Sequence, residues 1–307
     1  MITSAVVVDL LSNYSSENAD VIDNLSRILM HGRLGGSGKL LILPVDQGFE
    51  HGPARSFAKN PSAYDPTYLF ELALEAKLSA FAAPLGLIEF GSAKYSKLIP
   101  CILKLNSSNS LHQSTTAPDQ AFTSSVDDAV RLGCVAVGLT IYPGSDKDLE
   151  MFEEAKEIIK EAKAKGLATV VWSYPRGGMI TKEGETALDV IAYSAHIAAL
   201  LGAHIIKVKP PTDYIFLEEN KKIYQEMQIS FTELENRIKH IMDCCFARRR
   251  LVIFSGGASR DEDELFAEIQ AIKNGGGNGS IIGRNSFQRP MPEAIAMLNK
   301  IMDIYLG

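Results

Sequence analysis

The chain has 307 residues, 46% of them apolar and 22% charged, with a formal net charge of −6 at pH 7. This length can bury a full core, and the composition is ordinary for a soluble globular protein. The acidic balance argues against nucleic-acid binding, which wants a basic face, yet leaves room for an anionic substrate in a locally basic pocket.

Cys101, Cys134, Cys244 and Cys245 show neither CxxC nor a His/Cys zinc spacing, so no disulfide framework and no metal site is expected. No 18-residue apolar span occurs, and the start Met1-Ile2-Thr3-Ser4 lacks a basic leader. The expectation is a cytoplasmic protein with no membrane partner.

Residues 1–38 read as an N-terminal extension that closes one end of the fold with helix. Beyond it, apolar β-rich runs recur at 40–45, 80–84, 101–105, 134–140, 169–173, 204–208, 251–254 and 279–282. They are continuous rather than alternating, as parallel strands covered on both faces should be. Helical patterns lie between most of them. Leu149, Phe152, Ala155, Ile158, Ile159 and Ala162 recur at helical spacing, with Gly166 as the stop. Further helices are expected at 186–201, 231–245, 261–274 and 292–305. Eight strands alternating with helices predict an α/β fold, a (β/α)8 TIM barrel filling residues 1–307 as one domain. A doubly wound open sheet is the other arrangement this pattern allows. In a barrel, catalytic residues sit at the C-terminal ends of the strands, and phosphate sits after strands seven and eight.

The first strand ends in Asp46, followed by Gln47 and Gly48. Its carboxylate could hold a substrate hydroxyl or a cation at the mouth, or cap the next turn. The third run carries Lys104, which either snorkels to solvent or shares the mouth with a second amine. The fifth ends Trp172-Ser173-Tyr174, and period-two alternation puts Trp172 and Tyr174 on one face. They are a packing pair, or Tyr174 is a proton donor and acceptor.

The sixth run, 204–208, holds Lys207 among apolar residues. Either it reaches solvent or an acid from the strand end, or burial lowers its pKa and leaves a neutral amine nucleophile. Lys209 shares its face. The seventh and eighth runs end Ser255-Gly256-Gly257 and Gly283-Arg284, glycine turns that let backbone N–H groups and a guanidinium grip a phosphate. Gly275–Gly279 reads as a connection at the other barrel end, and Arg248–Arg250 as a solvated face.

Taken in order, the segments Val45–Pro53, Leu103–Asn106, Trp172–Gly177, Gly202–Lys209, Ser255–Ala258 and Gly283-Arg284 resemble the archaeal/bacterial (DhnA-type) class I fructose-1,6-bisphosphate aldolases. The resemblance implies a lyase that cleaves fructose 1,6-bisphosphate reversibly to dihydroxyacetone phosphate and glyceraldehyde 3-phosphate, in glycolysis and gluconeogenesis. It implies no metal and no cofactor, only a covalent imine on Lys207. Tyr174 would be the acid/base group, Trp172 a positioning partner, Asp46 and Lys104 supporting residues. Ser255, Gly256, Gly257, Gly283 and Arg284 would grip phosphate. A phosphorylated sugar and further copies of the chain are the partners implied. The family's first motif reads Asp-His-Gly, and here Gln47 stands in place of the histidine. Other readings are a Schiff-base aldolase or synthase for another phosphorylated ketose, a barrel isomerase, or a non-catalytic phosphosugar-binding barrel. For the second phosphate, Lys104, Arg55 and Arg176 are the candidates.

Overall fold

Eight parallel strands close on themselves in the computed structural model, which describes residues 3–111, 116–256 and 261–307. They are β1 (Leu40–Pro44), β2 (Ala80–Pro84), β3 (Cys101–Lys104), β4 (Ala136–Ile141), β5 (Ala168–Ser173), β6 (Ile205–Val208), β7 (Leu251–Ser255) and β8 (Gly279–Ile281). Each pairs with its neighbours in sequence, and β8 pairs back onto β1 through Leu40 opposite Gly279. The fold is therefore the (β/α)8 barrel, and closure removes the open-sheet alternative. Every run read from the sequence is one of these strands, to within two residues.

The helices follow from the same arithmetic. Asp148–Ala164 buries Met151, Ala155, Ile159 and Ala162, one stripe of a 3.6-residue period, against the sheet. Leu188–Leu200, Leu234–Cys244, Glu262–Asn274 and Met291–Leu306 match the remaining expected helices. The expected start at 186 shifts to Leu188, because Gly184–Thr186 forms a separate 3-10 turn and Ala187 is extended. Arg250 is not on a solvated face: its guanidinium stacks over Tyr14 at 5.1 Å.

Alternation splits the strands into two packed layers. Leu41, Leu43, Val137, Leu139, Ile206 and Val252 face the helices. Leu40, Ile42, Ile102, Val170, Trp172, Ile205 and Ile253 face the barrel interior. The helices Ala5–Ser12 and Ala19–Met30, capped by the side chains of Ser4 and Asn18, add Val7, Val21, Leu25, Ile28 and Leu29 to that inner cluster. They cover the N-terminal ends of the strands.

Polar ties hold this plug. The Tyr14 hydroxyl donates to the His204 carbonyl (2.7 Å) and accepts from the Leu251 N–H (3.0 Å). His204 Nδ1 accepts from the Thr169 N–H (2.9 Å), so Nε2 bears the proton and meets Glu17 Oε1 at 3.2 Å. Lys163 Nζ reaches the same carboxylate at 2.6 Å. The His204 hydrogen bond, more than Lys163, holds the Glu17 carboxyl down at about 2. Burial keeps the His204 imidazole below its ordinary value, outweighing the pull of Glu17.

Both shifts have the same sign. Folding favours ionised Glu17 and neutral His204, so this stabilisation is present at neutral pH. It fades as pH falls below about 6.5 for the histidine and below about 4.5 for the carboxylate. Glu17→Gln should lower the melting temperature at pH 7, and the gap to the parent should close as pH approaches 2; pH-resolved thermal melts check this. A second test concerns Gly138, where an added Cβ would stand 2.2 Å from the Trp172 ring. Gly138→Ala should cost about 1–3 kcal/mol by overpacking. It should also shift the emission of the only tryptophan, read by fluorescence.

Candidate active site

The site is built from the last inward residues of the strands. Lys207 follows Ile205 on the inner face of β6 and lies opposite Trp172 on β5 and Ile253 on β7. Lys104 follows Ile102 on β3 and lies opposite Gly138. The ring of Trp172 occupies the space that the missing Gly138 side chain leaves. Lys207 Nζ stands 5.2 Å from the centre of that ring and Lys104 Nζ 5.7 Å from it. Two amines thus flank one indole. Trp172 is 1% exposed, and its Nε1–H has no hydrogen-bond partner among the described residues.

Lys104 is 2% exposed and Lys207 4%, and neither forms an ion pair among the described residues. Burial disfavours the ammonium form and brings each amine down to about 8. For Lys207 the charges of Lys104 and Arg284 push the same way, while Asp46 and Glu50 oppose. About a tenth of each amine is therefore neutral at pH 7, far more than for an exposed lysine.

Tyr174 continues the inner face of β5, its ring 5.3 Å from Lys207 Nζ. Burial, reinforced by Asp46 and Glu50, pushes its phenol well up, with only a partial offset from the nearby Ser255 hydroxyl. The phenol rests protonated, as a proton donor whose conjugate base is strong. Asp46 follows β1 and heads the short helix Gln47–His51, to which its side chain makes no capping bond. Its charge acts on Lys104, Lys207 and Tyr174 instead.

Lys209 shares the face of Lys207, 5.9 Å from the Tyr174 ring, but its Nζ is engaged by Glu185 at 3.2 Å. The two amines, on and just beyond β6, are thereby distinguished: Lys209 is paired, and Lys207 has no carboxylate partner among the described residues.

On the far side of the mouth the ends of β7 and β8 meet. Asn285 Nδ2 donates to the Gly256 carbonyl at 2.9 Å. A Cβ on Gly283 would stand 2.6 Å from Gln47 Nε2 and 2.8 Å from the Pro44 carbonyl, so only glycine fits there. Arg284 is half-buried beside them. Gly257 lies outside the described residues. Lys207, Lys104, Trp172, Tyr174, Asp46 and Ser255 are thus brought together, with Gly256, Gly283 and Arg284 at their edge.

The candidates for a second phosphate separate. Arg55 is exposed on the short helix Pro53–Phe57 that follows β1. Lys104 turns inward to Asn106. Arg176 remains at the mouth, stacked 4.3 Å from the Tyr142 ring and 3.5 Å from Glu50. Three participants carry no role in the sequence reading: Asn106, Glu185 and Tyr142. Asn106 alone left a signal, since it keeps the inward parity of Lys104.

The chain is similar in sequence and in fold to known proteins. The profile of the DeoC/LacD family aldolases matches residues 40–289. A Chlamydia muridarum protein described as a probable fructose-bisphosphate aldolase class 1 is 39% identical over 308 residues, covering 95% of this chain and 86% of its own length. The crystal structure of an archaeal fructose 1,6-bisphosphate aldolase superposes with a TM-score of 0.75 at 31% identity, over 97% of this chain and 100% of that one. Another archaeal aldolase structure, with its catalytic lysine covalently bound to the carbinolamine intermediate of the substrate, gives 0.74 at 29%, with the same coverage. The chain belongs to the DeoC/LacD family of aldolases.

Proposed function

We propose that this protein is a class I fructose-bisphosphate aldolase that works through an imine on Lys207. The observation that carries the reading is an amine only 4% exposed, free of any carboxylate partner among the described residues and set between the rings of Trp172 and Tyr174. The covalent lysine of the archaeal relative supports the same chemistry.

The ketose bisphosphate docks with one phosphate against Ser255, Gly256, Gly283 and Arg284. The neutral Lys207 amine adds to the C2 carbonyl. One proton passes from the added nitrogen to the C2 oxygen, giving a carbinolamine, and Tyr174 then gives its own proton to that hydroxyl, so water leaves and an iminium forms. The resulting phenolate is a strong base and takes the proton of the C4 hydroxyl. The C3–C4 bond breaks, glyceraldehyde 3-phosphate leaves, and the bonding pair flows into the iminium to give an enamine. The phenol returns its proton to C3, and hydrolysis frees dihydroxyacetone phosphate and the amine. The iminium serves as the electron sink that a Lewis acid provides in other aldolases. Trp172 fixes the substrate between the two amines, with its unpartnered indole N–H available to a substrate oxygen. Asp46 and Lys104 set the charge around Lys207.

Reduction with borohydride in the presence of fructose 1,6-bisphosphate should leave an adduct on Lys207, mapped by peptide mass spectrometry. Lys207→Ala should yield neither adduct nor turnover, and full activity in that variant would sink the proposal. Because the reactive form is the neutral amine and its pKa lies at about 8, imine formation should fall as pH drops below 8. The slope should approach tenfold per unit on the acid side, measured by rapid-quench trapping. Tyr174→Phe should lower kcat by roughly 10²–10⁴, with a much smaller change in KM. Steady-state kinetics on the variant decide this, and a change confined to KM would remove Tyr174 from the proton transfers.

A further inference from the structure

Lys104 and Lys207 pose a problem that their burial does not solve. Both are removed from water, both bracket the Trp172 ring, and burial lowers both amines alike. Two ammonium groups in one mouth repel, so once one amine loses its proton the other holds its own more firmly. Only the amine that gives up its proton can attack a carbonyl.

The surroundings of the two nitrogens differ. Lys104 Nζ donates to Asn106 Oδ1 at 2.9 Å and also to the Asn106 backbone carbonyl. Such charge-assisted bonds favour the ammonium form. Lys207 Nζ faces two aromatic rings and has no oxygen acceptor among the described residues. The Asn106 amide is itself fixed. It is 2% exposed, its Oδ1 accepts from the Thr140 N–H at 2.7 Å, and its Nδ2 donates to the Thr140 carbonyl at 2.8 Å. Those two partners dictate which end of the amide faces Lys104. The amide thus extends the β3–β4 ladder by one step where the backbone of β3 leaves the barrel.

The remaining charges do not make the choice against this. Asp46 and Glu50, at the cap and in the first turn of the short helix after β1, act on both lysines in the same sense. Arg284, from the β8 end, pushes Lys207 toward the neutral form. Lys209, just beyond β6, is tied to Glu185, and the Tyr174 phenol on β5 is uncharged. We propose that Asn106 is a positioning residue, whose two oxygens keep the proton on Lys104 and so leave Lys207 as the neutral nucleophile. The inference rests on the reading of Lys207 as the imine-forming residue.

The test is borohydride trapping with dihydroxyacetone phosphate between pH 6 and 10, with the adducts on Lys104 and Lys207 counted by peptide mass spectrometry. In the parent protein most of the adduct should lie on Lys207, with a minor, countable share on Lys104 at pH 9–10. In Asn106→Ala the ratio of Lys104 to Lys207 adduct should rise about tenfold, and the acid limb of Lys207 trapping should move up by about one pH unit. In Asn106→Asp the acceptors toward Thr140 N–H and Lys104 persist, so the share on Lys104 at pH 9–10 should fall below that of the parent. An Asn106→Ala protein with the parent's limb and adduct ratio overturns the inference. So does an Asn106→Asp protein that shifts in the same direction as Asn106→Ala. If Asn106→Ala does not fold, the fall in Asn106→Asp decides alone, and its absence overturns the inference. A parent adduct found mainly elsewhere than Lys207 sinks the aldolase reading itself, an outcome distinct from the other results.

Discussion

A barrel strand can send only alternate side chains inward, and that one restriction orders the whole molecule. Along β1 the inward series runs Leu40, Ile42, Pro44, Asp46; along β3, Ile102, Lys104, Asn106. Along β5 it runs Val170, Trp172, Tyr174; along β6, Ile205, Lys207, Lys209; along β7, Leu251, Ile253, Ser255. Every series begins apolar at the closed end and finishes polar at the mouth. The same period that packs the core therefore also delivers the reactive groups. A register slip of one residue on β6 would turn Lys207 outward among the helices and bring Ile206 inward.

The electrostatics of the mouth run opposite to those of the chain. The protein carries a net charge of −6, yet Lys104, Lys207, Lys209, Arg176 and Arg284 converge at one end of the barrel. Their mutual repulsion is relieved unevenly. Glu185 neutralises Lys209, and Glu50 lies beside Arg176. Asp46 spreads its charge over both buried amines without contacting either within ion-pair distance. What is left unneutralised suits a doubly phosphorylated sugar, because an anionic ligand would complete the charge balance that the protein alone leaves open.

Much of this was legible in the amino acids. The eight apolar runs are the eight strands, since a strand covered on both faces leaves a continuous hydrophobic signature, and the alternation of these runs with helical patterns separates them from apolar helix segments such as residues 5–8. Lys207 and Lys104 stood out because they interrupt such runs. Trp172 and Tyr174 stood out because they share a parity. What escaped notice depends on contacts between strands. Asn106 looks like a turn residue until Thr140 is seen beside it. Glu185 sits in an irregular segment far from Lys209 in sequence. The stacking of Arg176 on Tyr142 joins the ends of two strands. The helix starts also moved, because the 3-10 turn at Gly184–Thr186 precedes Leu188 and sequence periodicity does not distinguish it from a first helical turn.

One strand shows how the fold separates support from chemistry. His204 and Lys207 stand three residues apart at opposite ends of β6, and both are buried. His204 has its nitrogens placed against Thr169 and Glu17, and its carbonyl holds Tyr14. Its Nδ1 and its carbonyl are hydrogen-bonded and its Nε2 faces the Glu17 carboxylate at 3.2 Å, so it ties the N-terminal plug to the barrel. Lys207 brings an amine that finds only aromatic faces, and beside it Trp172 brings an N–H that finds nothing among the described residues. Buried polar groups without partners reduce stability. The continuous apolar plug at the closed end offsets such a cost at the mouth. The incompleteness at the mouth is what a carbonyl substrate would fill.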